Sequence, residues 1–313
     1  MKIGFVMDPL ASVNIKADTT FALMLAAQQR GHELYYMKME DLAAEGDECW
    51  ATMQHAEVRR EEGSHYDLGT TQYEPLHALD CVFMRKDPPF DVPYLHAAHL
   101  LELAEEHGCL VINKPNGLRA ANEKLYALHF MDFMPDTLVT RSRERIRGFL
   151  DEHEGQCIIK PIDGHGGEGI FMLEKDDRNL NALLEVATDH GRERIICQAY
   201  MKAAREGDKR ILLLDGEPLG AILRVPTADE HRGNIHVGGS VKKAELTGAD
   251  LAICEGVGPR LSDDGLWFVG IDVIGGKLTE VNVTSPTGIQ EMSRLDDIDY
   301  SAQVVEWIEQ RLG

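Results

Sequence analysis

Residues Gly270 to Gly288 read GIDVIGGKLTEVNVTSPTG. Two glycines, Gly275 and Gly276, divide runs that nearly alternate apolar and polar residues, the pattern of a β-hairpin. Asp272, Glu280 and Asn282 break it by standing among Ile, Val and Leu. Oxygen-bearing side chains in an apolar hairpin are costly unless something pairs with them. Residues i and i+2 of a strand share a face, so Glu280 and Asn282 point the same way, about 7 Å apart. Hard oxygens with no His or Cys nearby suit Mg²⁺, which takes a few protein oxygens and adds substrate phosphates. An exposed polar strand face is the competing reading. Register decides whether Asp272 joins the set. With a simple two-residue turn, Ile274 pairs with Lys277, Asp272 faces Thr279, and the two carboxylates fall on opposite sheet faces. A shared site therefore predicts an odd-length loop or a glycine bulge, with one glycine at positive φ and Ile271, Val273 and Val281 in the core behind.

The TSPTG run follows directly. Ser285 is placed to cap a short helix with Pro286 at its first position, leaving backbone N–H groups for a carboxylate. Upstream, KPIDGHGGEGIFML contains Gly164-x-Gly166-x-x-Gly169. A dinucleotide fingerprint needs a helix immediately after such glycines, and here IFMLEK reads as a strand. No Lys-Ser or Lys-Thr pair ends the loop, so it is not a P-loop. A strand–glycine loop–strand makes a flap whose N–H groups close over phosphates, or else a plain flexible hairpin. A protein kinase is disfavoured because HRD and DFG are absent. Lys160 lies inside the apolar strand CIIKP, and Lys124, in NEK, opens a helix where its charge opposes the dipole. A phosphate chain explains both awkward placements. Asp208 and Arg210 begin the strand DKRILLL, and RVPTADEHRGNIHVGGS carries Arg224 and Arg232 among loop residues and glycines, a mobile carrier of arginine to an anion or an ordinary surface loop.

Composition bounds the rest. The chain has 313 residues, a formal net charge of −21 and 43% hydrophobic residues, enough for two domains or one large one. The charge makes nucleic acid and anionic membranes poor partners, so an anionic substrate needs a local basic site or a metal ion. No apolar run approaches the roughly 20 residues of a membrane span. MKIGFVMDPL reads as a first strand and not a signal peptide, which leads us to expect a cytoplasmic chain. Six cysteines occur without a CxxC and mostly beside apolar runs, so buried thiols are expected. Residues 2–7, 32–37 and 79–85 read as strands, with helices near 19–31 and 93–107: an open parallel sheet ending near residue 120, with Asn14 and Arg85 in loops at its carboxyl edge. Residues 40–78 read as irregular surface. NEKLYALHF reads as a helix, residues 209–225 as a hairpin turned at Asp215-Gly216, and residues 299–312 as a closing helix.

Taken in order, NEKL, IIKP with its glycine flap, CQAYM, GDKR, a glycine-containing loop and D-x7-E-x-N resemble the ATP-grasp ligases. With VMDP, MRKDPPFD, INKP, RGN and LTEVNVTSPTGI, nearly the whole chain is similar to the bacterial glutathione synthetases. The resemblance implies an α/β fold, α+β in its C-terminal part: an N-terminal substrate domain (1–122), a central lid (123–200) and a catalytic subdomain (201–313). It implies ligation of γ-glutamylcysteine to glycine with ATP through an acyl phosphate. Asp272, Glu280 and Asn282 are then ligands of Mg²⁺, with Mn²⁺ as its substitute. Lys124 and Lys160 bind the α/β-phosphates under the Gly164, Gly166 and Gly167 flap, Gln198 and the backbone of Ala199, Tyr200 and Met201 read adenine, and Asp208 lies near the ribose and phosphates. Arg210, Lys160 and Arg232 serve catalysis. Arg232 also joins Ser285, Thr287 and Gly288 in holding substrate carboxylates, and Asn14 and Arg85 hold the γ-glutamyl end. A cytoplasmic homotetramer acting on small molecules is implied. The flap GHGGEG keeps the family's glycines but departs in its other side chains. The rivals are another carboxylate–amine ligase, against which MRKDPPFD argues, a non-catalytic nucleotide-binding protein, which would lack the three oxygen ligands, and a dinucleotide oxidoreductase, which needs a helix after Gly169.

Overall fold

The computed structural model describes residues 1–164, 166–226 and 240–313. Expectations for Arg232 and most of the 226–240 loop lie outside the described residues. Three sheets follow one another along the chain. The first contains β1 (Lys2–Met7), β2 (Glu33–Met37), β3 (Leu42–Glu45), β4 (Glu48–Val58), β5 (Tyr66–Pro75), β6 (Cys81–Arg85) and β7 (Leu110–Ile112). Its order is β3-β4-β2-β1-β6-β7, with β5 paired to β4. The β2-β1-β6-β7 portion is parallel, as expected. Helices α1 (Thr19–Gln29), α2 (Val92–Glu106) and α3 (Pro115–Ala120) accompany it. Asp18 caps α1 by accepting from Phe21 N at 2.7 Å, and Asp91 caps α2 by accepting from Tyr94 N at 2.9 Å.

The reading of 40–78 as irregular is corrected: β3, β4 and β5 form an antiparallel extension of the sheet. Cys49, Ala51, Met53, Ala56 and Val58 of β4 are buried at near-alternate positions, and Gly46 (φ 65°) turns the chain back from β3. The sequence hides β5 because that strand is almost wholly exposed; its ladder bonds to β4 hold it, and an exposed strand carries no apolar period.

The second sheet has the order β10-β9-β11-β8, from β8 (Thr137–Thr140), β9 (Gln156–Pro161), β10 (Phe171–Glu174) and β11 (Ile195–Ala199), all antiparallel. With α4 (Arg143–Glu152) and α5 (Leu180–Ala187) it encloses a separate core including Ile146, Leu150, Ile159, Leu173 and Leu184. Strand β10 follows the glycines, which removes the dinucleotide fingerprint. NEKLYALHF is not an α-helix. Asn122 Oδ1 accepts from Lys124 N and Leu125 N at 3.2 and 3.0 Å, making a turn that leads into a 3-10 helix, Tyr126–Phe133.

The third sheet is antiparallel in the order β14-β13-β12-β15-β16: β12 (Asp208–Leu214), β13 (Glu217–Val225), β14 (Ser240–Lys243), β15 (Phe268–Ile274) and β16 (Lys277–Asn282). It packs with α6 (Gly248–Asp263), α7 (Ile289–Asp296) and α8 (Tyr300–Leu312). The sequence reading missed α6, which contains Gly256, Gly258 and Pro259, residues that argue against a helix. Close packing requires two of them: a Cβ at Gly256 meets the Phe133 ring at 2.2 Å and one at Gly258 meets Gly216 O at 2.4 Å. Ser285 and Pro286 do not start a helix either. They stay in a loop, and α7 begins at Ile289 behind Gly288 (φ 114°). All six cysteines are buried and free. Among the described residues no helix is long and apolar enough to cross a membrane.

Candidate active site

The β15–β16 hairpin turns on both glycines, Gly275 at φ 56° and Gly276 at φ 74°, with Ile274 opposite Lys277. The turn is thus two residues long and not the odd-length loop; the other form of the expectation, a bulge, is met, though away from the glycines. The parity shift comes instead from Thr279, which bulges between Leu278, opposite Val273, and Glu280, opposite Asp272. Thr279 Oγ1 donates to Asp272 O at 3.1 Å. The carboxylates therefore share a face, and Ile271, Val273 and Val281 are buried behind them. One row farther along, Asn282 faces Gly270 and its Nδ2 donates to Gly270 O at 3.2 Å. A Cβ at Gly270 would stand 3.0 Å from both Arg210 Cδ and Pro286 Cβ, so glycine leaves room for the arginine stem and the following loop.

Strand β12 extends this polar face. Arg210 lies opposite Asp272 and Asp208 opposite Arg224. Arg210 Nη2 donates to Asp272 Oδ2 at 3.1 Å while its Nε donates to Oδ1, and Arg224 Nη2 reaches Asp272 Oδ2 at 2.9 Å as well as Asp208. All four side chains are nearly buried. Burial pushes the Asp208 carboxyl up, reinforced by Asp272, against the pull of the arginines. The two arginines hold Asp272 well below the usual carboxylate range despite its burial. Asp208 Oδ1 and Arg224 Nε are buried without a hydrogen-bond partner among the described residues. Sequence reasoning left Arg224 between the hairpin's second strand and the loop after it; it belongs to β13. The available signal was the one that marked Lys160, a charge inside an apolar strand, here AILRV.

Two lysines reach this sheet from other elements. Lys124 is 8% exposed, and its Nζ lies 3.0 Å from Glu280 Oε1 while donating to Gly164 O. Lys160, on β9, donates to Gln198 Oε1 at 2.9 Å, and Gln198 Nε2 donates to Thr137 Oγ1 at 3.0 Å. Burial lowers the Lys160 pKa, opposed by the field of Glu280, with Lys124 lowering it further and Asp208 and Asp272 opposing more weakly. The loop after Lys160 turns through Gly166 (φ 61°), Gly167 (φ 82°) and Gly169 (φ 69°), and a Cβ at Gly164 would stand 2.5 Å from Pro161 Cγ. Ala199 ends β11, and Tyr200 and Met201 lead from the second sheet to the third.

The segment before Lys124 ties these parts together. Asn122 Nδ2 donates to Asp163 Oδ1 at 3.0 Å, and Glu123 Oε1 accepts from Val283 N at 2.9 Å, Thr284 N at 3.1 Å and Thr284 Oγ1 at 2.8 Å. Nothing in the sequence separated Glu123 from a surface glutamate. The Thr284–Gly288 loop is gripped elsewhere through its carbonyls: Arg85 Nη2 donates to Pro286 O at 2.9 Å and Arg210 Nη1 to Thr287 O at 3.4 Å. Arg85 is buried, with its Nε on Thr20 Oγ1 at 3.0 Å and its guanidinium 5.5 Å from the Phe268 ring centroid. Asn14 is exposed, and its Oδ1 accepts from Lys16 N at 3.1 Å in a local turn; among the described residues it makes no hydrogen bond to Arg85.

Arg210, Arg224, Lys124 and Lys160 thus meet Asp208, Asp272 and Glu280, a local concentration of cations, suited to a polyphosphate, in a chain whose overall charge is −21. Among the described residues no three His, Cys, Asp or Glu side chains converge as a metal cluster. The candidate set is two carboxylates plus the Asn282 amide oxygen. Three bonds from arginine occupy Asp272, and a carboxylate offers about four acceptor positions. That donor set fits a hard cation finishing its shell with water and phosphate.

Two family models match the chain: the prokaryotic glutathione synthetase N-terminal domain over residues 1–119 and the prokaryotic glutathione synthetase ATP-grasp domain over residues 123–297. A glutathione synthetase of Shewanella oneidensis is 46% identical over 314 residues, covering 100% of this chain and 99% of the relative. One from Thermosynechococcus vestitus is 45% identical, covering 98% and 99%. Among solved structures, the D-cycloserine synthetase DcsG superposes with a TM-score of 0.67 at 16% identity over 100% of both chains. The ATP-grasp ligase PsnB, complexed with a minimal precursor, gives 0.65 at 17% identity over 98% of both. At that identity the structures speak for the fold.

Proposed function

The chain belongs to the prokaryotic glutathione synthetase family, ATP-dependent carbon–nitrogen ligases that make glutathione, and on that premise we propose how its own residues divide the reaction. The carrying observation is the row Arg210–Asp272–Glu280 across β12, β15 and β16, with Lys124 at its end and Lys160 sensing its charge. A carboxylate resists attack by an amine. Transfer of the γ-phosphoryl group of ATP to the cysteinyl carboxylate of γ-glutamylcysteine gives an acyl phosphate and ADP. The glycine nitrogen then attacks the acyl carbon, and phosphate leaves with the bonding pair of the C–O bond. Arg210 and Arg224, nearly buried and fixed by Asp208 and Asp272, face the oxygens on which charge develops. Lys124 and Lys160 neutralise the phosphate chain, and a lysine desolvated as Lys160 is gains strongly from an anionic partner.

Glu280, Asn282 and Asp272 would hold Mg²⁺, with Mn²⁺ as its substitute, and the ion would supply charge neutralisation to the phosphate chain. Gly164, Gly166 and Gly167 cover the phosphates, Gln198 to Met201 read adenine, and Asp208 sets Arg224. Arg85 orients the γ-glutamyl end through the Thr284–Gly288 loop, in which Ser285, Thr287 and Gly288 face a substrate carboxylate. Arg232 and Asn14 enter this reading by family resemblance, as does a cytoplasmic homotetramer. The assignment divides the chain at 1–122, 123–200 and 201–313, following its three sheets. The test is ADP release from ATP: it should require γ-glutamylcysteine, rise on adding glycine, and yield glutathione in equal amount. Equal turnover with unrelated carboxylate donors such as D-alanine would overturn the substrate assignment.

A further inference from the structure

Residues of the first sheet, the glycine flap and the third sheet meet at a cavity of about 30 Å³, room for roughly two water-sized groups. Pro88 and Phe90 wall it from the loop after β6, Ala121 from the end of α3 and Ile162 from the loop after β9. The Phe90 ring is seated against the fully buried Tyr94, with centroids 4.6 Å apart. Glu123, Lys124 and Thr284 line the cavity toward the phosphate site. Lys124 connects it to that site directly, since its Nζ meets Glu280 Oε1 at 3.0 Å. Glu123 has acceptor capacity to spare. Its Oε1 takes the three hydrogen bonds from Val283 N, Thr284 N and Thr284 Oγ1, and its Oε2 takes none among the described residues.

The dipeptide substrate makes a geometric demand. On the ligase reading, the carboxyl carbon that becomes the acyl phosphate lies at the Arg210–Asp272–Glu280 row, and the sulfur of the same residue is only three bonds from it. A recess for that side chain must open beside the row. It must also be small, largely apolar, and able to accept from a weak S–H donor. The cavity meets each condition. Glycine suits it less well: its carboxylate needs a cation, Lys124 is engaged by Glu280, and Glu123 and Asp163 add negative charge to the lining. We propose that this cavity is the subsite for the cysteinyl side chain of γ-glutamylcysteine, with Pro88, Phe90, Ala121 and Ile162 around the methylene and sulfur and Glu123 Oε2 accepting from the thiol. The inference rests on the ligase reading above and adds the residues that select the side chain.

The test changes the size of the cavity in both directions. Ala121→Val narrows it, and steady-state constants are compared with wild type for γ-glutamylcysteine, for γ-glutamylglycine, which has no side chain to place there, and for glycine. KM for γ-glutamylcysteine should rise about tenfold or more, while the constants for γ-glutamylglycine and glycine stay within about twofold. Phe90→Leu widens it. The ratio of kcat/KM for γ-glutamyl-S-methylcysteine to that for γ-glutamylcysteine should then rise about tenfold or more over the wild-type ratio. An equal effect of Ala121→Val on the two dipeptides makes Ala121 a packing residue and overturns the proposal, as does no effect on either. A rise in the glycine KM alone overturns it in favour of a glycine subsite. If Ala121→Val does not fold, Phe90→Leu decides, and a selectivity ratio within about twofold of wild type overturns the proposal. If neither variant folds, the cavity walls are structural and the proposal falls equally. Failure of the ligase reading is separate: the wild-type protein itself then makes no glutathione.

Discussion

Asp272 faces Glu280 across the β15–β16 ladder because Thr279 takes no partner of its own in that ladder. The turn alone, a regular two-residue glycine turn, leaves the carboxylates on opposite faces. One extra residue moves Glu280 to the side of Arg210 and Lys124. Deleting Thr279 should give a folded protein whose turnover falls about 100-fold or more, since a charge-stabilising group has left the site. Thr279→Ser, which keeps both the residue count and the hydroxyl, should stay near wild type. A folded deletion variant within tenfold of wild type refutes the parity argument.

Glu280→Gln keeps the shape of the side chain and removes its charge. Glutathione formation should fall by about 100-fold or more, and the Mg²⁺ concentration for half-maximal rate should rise, because a neutral amide is a poorer ligand for a hard cation. Near-normal turnover at saturating substrates and unchanged Mg²⁺ dependence would remove Glu280 from the metal assignment.

Arg224 holds Asp208 and Asp272 in nearly water-free surroundings. Arg224→Met leaves those carboxylates short of a counter-charge and should lower unfolding stability by about 3–5 kcal/mol, read from urea denaturation. Adding Asp208→Asn should restore part of the loss, since one of the stranded charges is then gone. A double variant no more stable than Arg224→Met alone contradicts this account of the network.

The Glu309 carboxyl is pulled down to about 2 from an ordinary value of 4.5, chiefly by Arg30, against an opposing effect of burial and with further help from His32. These contacts join α8 to the residues between α1 and β2. A depressed carboxyl stabilises the fold above its unfolded value and loses that contribution as pH falls through its folded one. The advantage of wild type over Glu309→Gln should therefore be complete at about pH 6 and shrink between about pH 4.5 and pH 2. Urea midpoints of the two proteins that keep a constant separation across that range would exclude the pair as the source.

The legible parts of the fold were those with local signatures. An Asp-Gly and a Gly-Gly pair marked the two hairpin turns, apolar runs marked α1, α2 and the parallel strands, and the strand after Gly169 ruled out a dinucleotide site. Strand β5 was hidden because exposed residues carry no period, and α6 because Gly256, Gly258 and Pro259 suit its packing and not its local propensity. Within the candidate site, Asp272, Glu280, Lys124 and Lys160 were visible as charged or polar groups in apolar or ill-suited settings. Glu123 gave no such signal, since it lies in a polar stretch and is buried only by segments distant in sequence.

By itself the sequence determined which residues carried chemistry and, through i, i+2 periodicity, that Glu280 and Asn282 share a face. It also made the position of Asp272 conditional on one residue of register. Tertiary structure decided that condition through Thr279, a residue type that announces no bulge. It also brought Arg224, Asp208 and Asp272 from three strands into one ion network and delivered Lys124 from the segment between two sheets to both Glu280 and Gly164. The division has a physical cause. Turn geometry and side-chain alternation are fixed within a few bonds of the chain, whereas pairing of buried charges depends on which distant strands exclude water together.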